Sequence, residues 1–293
     1  MLLFLQQLSD GLASGAIYAS LALALVFSFR STNVVNFAQG EMAMLSTFFA
    51  WQLIKWGLPV YAAMIVSILA SFIAGAVLYV IFVKPIARAP ALTVVTVLIG
   101  LFLALNSLAG FIWGYLNHAF PSPFEAWRIQ LGGLRLSGEV IGVVVVLLAT
   151  LLILFLVFEH TKLGLAMRAA AAAPEQSRLV GIPVERMLMA GWGVASSLGA
   201  IAGVLVAPRL FVSPGMMLGV VIYAFAAATL GGFDSVLGAV VGGLVVGVAE
   251  NLAATYVPWI GADLKIVVAL LVIFATLLIR PSGLFGRKSV ARV

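Results

Sequence analysis

With 293 residues, 64% of them hydrophobic and 9% charged, and a mean hydropathy of +1.22, the chain carries far fewer charges than the quarter or so usual in a soluble domain. Its apolar density is sustained along nearly the whole length, and about 20 apolar residues carry a helix across a bilayer, so the fold class expected is all-α: a polytopic membrane helix bundle. A β-barrel, whose strands alternate with polar lumen residues, is excluded.

There are no cysteines and only two histidines, His118 and His160, which removes disulfides, thiolate zinc sites and thiol chemistry and leaves no metal site to expect. The formal net charge of +6 is explained by basic cytoplasmic loops, and no basic patch with interleaved aromatics points to nucleic acid.

The opening MLLFLQQLSD has neither a basic stretch nor a small-residue cleavage pattern, so the first apolar segment is expected to remain in the mature protein. In chain order, nine apolar segments are predicted: 10–29, 37–54, 60–83, 91–113, 139–158, 190–208, 216–232, 236–256 and 261–279. The second and seventh are short for a crossing, so eight to nine transmembrane segments are expected. With the tail RPSGLFGRKSVARV placed inside, the cytoplasmic side receives Arg30, Lys84, Arg88, Lys162, Arg168, Arg178, Arg186, Arg280, Arg287, Lys288 and Arg292. Only Lys55, Arg128, Arg135, Arg209 and Lys265 fall outside, a clear positive-inside bias.

Glycines recur one helical turn apart, among them Gly11 with Gly15, Gly199 with Gly203, Gly238 with Gly242, and Gly243 with Gly247. Such spacing lets helix backbones approach closely in lipid, and plain helix packing is its simplest reading. Two polar stretches interrupt the apolar pattern. In STNVVNFAQGEMAML (31–45), Asn33, Asn36, Gln39 and Glu41 sit among apolar residues; in ATLGGFDSVLGAVVGG (228–243), Gly231 and Gly232 precede Asp234 and Ser235, an N-cap signal. Polar, glycine-containing breaks in both halves of a transporter point to discontinuous helices beside a translocation path; the plainer alternative is a pair of cytoplasmic loops that cap helices.

Glu41 and Glu250 each lie in apolar surroundings, where a charge costs about 2.5 to 3.5 kcal/mol on insertion scales. Ion coupling is one reading. The plainer one places Glu41 near the cytoplasmic end of its helix and Glu250 near the outer end of its own, each reaching water or a hydrogen-bond donor. No HExxH, GxSxG or GxxxxGK[ST] motif is present, so no enzymatic activity and no ATP site of the usual kind are expected.

The stretch TKLGLAMRAAAAAPEQSRLVGIPVERM is the longest polar interruption on the cytoplasmic side. Thr161 to Gly164 and the alanines after Arg168 read as one short helix, Pro174 and Glu175 as the start of a second, and Gly181-Ile182-Pro183 as its end. Together they present Arg168, Glu175, Arg178, Glu185 and Arg186 to water or to a partner.

This stretch resembles the cytoplasmic coupling loop of the membrane permeases of branched-chain amino acid ABC importers, of the LivH type. GLASGAIYASLALALVFSFRSTNVVNFAQGEMAML is similar to that family's first helix and the segment after it, and LGGFDSVLGAVVGG to its glycine-rich late segment, so the resemblance covers essentially the whole chain. Ala172-Ala173-Pro174 stand where more polar residues are expected.

The resemblance implies a single permease domain over 1–293 with a coupling loop at 159–189, multi-pass in the bacterial cytoplasmic (inner) membrane. Its partners are a second permease subunit (LivM-like), two cytoplasmic ATPases that hold the ATP, and a periplasmic or extracellular substrate-binding protein delivering an amino acid. No cofactor is expected in this chain. Expected pathway residues are Asn36, Gln39, Glu41, Gly231, Gly232, Asp234 and Ser235; expected coupling residues are Thr161, Gly164, Arg168, Glu175, Arg178 and Gly181. The outer loop with Trp127, Arg128 and Arg135 would meet the binding protein. Related permeases take urea, amides or other small polar metabolites, and an ion-coupled secondary transporter or a non-transporting scaffold remain as rivals.

Overall fold

Each predicted apolar segment becomes a helix in the computed structural model, which describes residues 1–32, 34–87, 89–124, 128–131, 134–261 and 263–286. Asn33, Arg88, Trp127, Arg287, Lys288 and Arg292 lie outside the described residues, as do the side chains of Arg128 and Arg135.

In chain order the helices are α1 (Leu2–Thr32), α2 (Gln39–Lys55), α3 (Val60–Leu78), α4 (Ala91–Trp113), α5 (Gly138–His160), α6 (Lys162–Ala172), α7 (Pro174–Leu179), α8 (Val184–Leu210), α9 (Met217–Gly231), α10 (Val236–Tyr256) and α11 (Lys265–Ile279). Strands β1 (Arg128–Leu131) and β2 (Leu134–Ser137) pair antiparallel with Leu131 opposite Leu134, a small hairpin in an otherwise helical chain.

Among the described residues six helices are long and apolar enough to cross a membrane: α1, α3 with its continuation to Ile86, α4, α5, α8 and α10. The chain is a multi-pass membrane protein. Helices α9 and α11 have 15 residues each and α2 has 17, or about 22 to 26 Å against a hydrocarbon core of about 30 Å. By length alone, therefore, six crossings are counted among the described residues, and the eight to nine expected are not confirmed.

The chain divides into two units. In the unit formed by 27–121 and 145–217, α2 packs against α3, α4 and α8, and α3 packs against α8. The Gly199 and Gly203 pair of α8 faces Gln39, Ala43 and Thr47 of α2, and a side chain at either glycine would run into them. Beyond α3 the chain forms a π-turn over Tyr79–Val83 and a 3₁₀ turn over Lys84–Ile86. Pro85 accounts for this change of winding: it lacks an N–H, and its ring displaces the carbonyl four residues earlier.

In the unit formed by 1–26, 122–144 and 218–293, α10 is gripped from two sides. Gly243 and Gly247 meet Gly15 and Ala19 of α1, while Gly238 and Gly242 meet Gly231 and Ala227 of α9. Without Cβ atoms the backbones come close enough for dense packing, which in lipid replaces the hydrophobic drive to associate.

Candidate functional site

After α1 ends at Thr32, the break before α2 is held by its own side chains. Asn36 accepts from the Ala38 amide at 3.0 Å through Oδ1 and donates through Nδ2 to Gln39 Oε1 at 3.1 Å. Gln39 in turn donates to the Ala195 carbonyl of α8 at 3.0 Å. Ala195 lies about 16 Å along α8 from Val184, so α2 begins beside the third turn of α8 rather than at that helix's end. Irregular backbone at membrane depth persists only where protein or a wet cavity satisfies it, and these amides supply the bonds. Asn36 and Gln39 are fully buried.

Glu41 lies in the first turn of α2 and is 1% exposed. Its Oε2 accepts from Asn106 Nδ2 of α4 at 3.0 Å, and the same amide donates to the Pro214 carbonyl at 2.9 Å. Asn106, which the sequence reading passed over, thus ties α2 to α4 and to the segment between α8 and α9. The plainer expectation for Glu41 takes a specific form: its end of the helix is itself enclosed, and an amide donor stands in for water.

Glu41→Gln, which keeps an acceptor for Asn106, is expected to hold stability within about 1 kcal/mol, whereas Glu41→Ala strands that donor at a cost of about 1–3 kcal/mol. Thermal unfolding in detergent reads the difference. Uptake by Glu41→Gln near the native level is the companion expectation; its loss in a well-folded protein would return ion coupling to the centre.

Beside α2 lies a cavity of ≈ 250 Å³ whose lining includes Ser46, Ser67, Ser71 and Ser196 among apolar side chains. Ser71 lies within hydrogen-bonding distance of both Ser46 and Ser196, and Ser67 donates to the Ser46 carbonyl. These hydroxyls stitch α2, α3 and α8 together, and as isolated serines in apolar runs they gave no sequence signal.

The second predicted break belongs to the other unit. Gly231 closes α9, Gly232 takes a left-handed φ of +99°, and Ser235 caps α10 by accepting from the Gly238 amide at 2.9 Å. Asp234 is exposed. The tail folds back onto this turn, with the Leu284 and Phe285 amides donating to the Leu230 and Gly231 carbonyls at 2.8 and 3.0 Å. Here the glycines serve a close approach of backbones: a Cβ on Gly232 would meet Ser282 and Gly286. Glu250, in the same unit, accepts from Tyr18 Oη at 2.7 Å with Lys265 Nζ at 3.8 Å, and Tyr223 stacks on Tyr18 with ring centroids 4.7 Å apart.

The loop at 159–189 forms α6 and α7. Thr161 Oγ1 donates to the Val157 carbonyl and accepts from the Gly164 amide, joining the end of α5 to the start of α6. Gly164 is packed against the Phe158 backbone, where a Cβ would collide. At the far end, Gly181 with φ +84° closes α7, the Ile182 amide bonding to the Ser177 carbonyl and the Gly181 amide to that of Arg178, the pairing of a Schellman motif.

The charges expected to face a partner are partly engaged within the chain: Arg168 with Glu159 at 2.7 Å, Arg178 with Glu175 at 3.0 Å, and Glu185 with Lys84 at 2.7 Å. Exposed pairs of this kind contribute about 0–1 kcal/mol each. The feature that charge-based reading missed is apolar: Leu179 and Val180 are 88% and 76% exposed at the tip of the loop.

Residues 7–279 match the family model described as branched-chain amino acid transport system / permease component. The chain is 28% identical to the high-affinity branched-chain amino acid transport system permease protein LivH of Salmonella typhimurium, over 100% of this chain and 98% of the relative. It is 30% identical to BraD, the corresponding high-affinity permease protein of Pseudomonas aeruginosa, over 99% and 98%. It is also 30% identical to a probable LivH of Methanocaldococcus jannaschii, over 91% and 87%. A solved structure described as PsaBC from Streptococcus pneumoniae in complex with Fab shares the fold, with TM-score 0.50 and 14% identity over 95% of this chain and 92% of that chain.

Proposed function

The chain belongs to the family of permease components of branched-chain amino acid transport systems, and from that membership we propose that it is the membrane-spanning subunit of a binding-protein-dependent ABC importer for branched-chain or related amino acids. It forms one side of the pathway in the bacterial inner membrane. A second permease of LivM type forms the other, a binding protein delivers substrate from outside, and two ATPases supply the energy. With no GxxxxGK[ST] motif, the chain leaves nucleotide binding to those ATPases.

The observation that carries this reading is the match over residues 7–279. The pair α6 and α7 supports the division of labour. Its helices are closed by Thr161 at one end and Gly181 at the other, so the pair moves as a lever. A push on Arg178, Glu175 or the Leu179 tip passes to α5 through the Thr161 junction between α5 and α6, and rigid-body motion of this type drives many switching transitions. The break at Asn36, Gln39 and Glu41 and the turn at Gly231, Gly232, Asp234 and Ser235 border the pathway. The role of Asn36, Gln39 and Glu41 is to hold the start of α2, since they are buried and already bonded within the chain.

Uptake of labelled leucine by proteoliposomes carrying both permeases, the ATPases and the binding protein is expected to require ATP and to stop when the ATPases are omitted. Uptake that persists without them overturns the reading. Competition by unlabelled valine but not urea or amides is the expected selectivity.

A further inference from the structure

In the unit built around α2, the end that the charge bias places in the cytoplasm holds a crevice to which the transport reading assigns no ligand. It lies where the last turns of α1 and α5 meet α6 and the start of α8, with a cavity volume of ≈ 40 Å³, room for about three water-sized groups. Phe27 and Phe158, with ring centroids 4.9 Å apart, form one wall. Arg30 and Arg168, from different helices, line the same space.

Arg168 gives Nη1 to Glu159, but its Nε is buried and has no hydrogen-bond partner among the described residues. A buried donor without an acceptor costs about 1–3 kcal/mol, and more on a charged group. What such a donor lacks is an acceptor, and an oxyanion is one that guanidinium groups bind with directional, charge-assisted bonds. Next to the crevice, further into the membrane along α5, Leu152, Phe155 and Leu156 are exposed, so an apolar strip leads away from the two arginines. A free phosphate would use only the crevice, whereas a phospholipid would use both features. Basic pockets between membrane helices on the cytoplasmic side bind lipid headgroups by this combination.

We infer that the Arg30–Arg168 crevice seats the phosphate of an anionic membrane lipid, whose acyl chain lies along the exposed face of α5. The inference stands apart from the ATPase reading, because lipid retention is measured on this chain without nucleotide.

The test is native mass spectrometry of the purified full chain with phosphatidylglycerol, with phosphatidylcholine, and with phosphatidylglycerol in excess inorganic phosphate. One tightly held phosphatidylglycerol is expected, little phosphatidylcholine, and no displacement by phosphate. Arg30→Gln and Arg168→Gln are each expected to lower occupancy about tenfold, while Arg178→Gln, which removes the same charge from α7, leaves it unchanged. Equal loss in Arg178→Gln would mean diffuse surface charge, and full displacement by phosphate would mean a free-oxyanion site; either overturns the lipid assignment.

Should a glutamine variant fail to fold, the native chain decides through phosphatidylglycerol carrying a photoreactive acyl chain. Labelling concentrated on Leu152, Phe155 and Leu156 is expected. Labelling no stronger there than on the exposed face of α3 overturns the proposal.

Discussion

Leu179→Asp combined with Val180→Asp is expected to leave the permease folded and to reduce ATPase co-purification about 100-fold, with ATP-dependent uptake falling to background. The two side chains are among the most exposed of the loop, 88% and 76%, on a segment whose charged neighbours Arg178 and Glu175 already face each other. Burying an aliphatic side chain of this size contributes about 1.5–3 kcal/mol, so losing two of them accounts for at least about two orders of magnitude in affinity. Carboxylates forced into an apolar notch add a desolvation penalty. Because neither residue packs within the unit, stability is expected to change by less than about 0.5 kcal/mol. Charge reversal at Arg178 is the informative comparison: an apolar anchor predicts a small effect there, and an ionic dock predicts a large one. Unchanged ATPase binding in the double variant would remove the tip of α7 from the interface.

The membrane helices were legible because an apolar run long enough to span is a signal that tertiary context seldom reverses. Segments 91–113 and 236–256 coincide with α4 and α10. Boundaries failed where a helix extends into polar sequence. α1 begins at Leu2, not near residue 10, and Gln6 donates to Asp10 one turn on, at 3.3 Å. α8 likewise begins at Val184, with Glu185 and Arg186 in its first turn. The hairpin departs from the all-helical expectation, although RIQL, Gly132-Gly133 and LRLS carry a two-residue hairpin signal.

Of the candidate pathway residues, Asn36, Gln39 and Glu41 were visible because polar side chains stand out in apolar sequence. Asn106 meets the same test. What sequence does not carry is its pairing, which joins positions 65 apart to Glu41 and 108 apart to Pro214. The coupling stretch was legible for a local reason: Thr161, Pro174 and Gly181 are cap and terminator residues acting within a few positions. Its charge pairs were not, since Arg168 bonds to Glu159 nine positions back, at no helical spacing.

Gly15→Leu is expected to destabilise the chain by roughly 4 kcal/mol or more, seen as a fall of about 8–16 °C in unfolding midpoint or as loss of monodisperse protein. A Cβ at this position would stand 2.8 Å from both the Gly243 carbonyl oxygen and the Leu244 Cα, and backbone atoms cannot rotate aside as a side-chain tip can. Overpacking that a core absorbs costs about 1–3 kcal/mol. Here α1 and α10 must separate, and the consequence spreads along the seam. Tyr18, next on that face of α1, donates to Glu250 of α10 at 2.7 Å, so parting the helices also strips a buried carboxyl of one of its partners. Gly219→Leu on α9, where a Cβ meets nothing within 4 Å, is the matched control and is expected to stay within about 1 kcal/mol of the native chain. Equal stability of the two variants would mean that the paired glycine motifs do not hold α1 to α10.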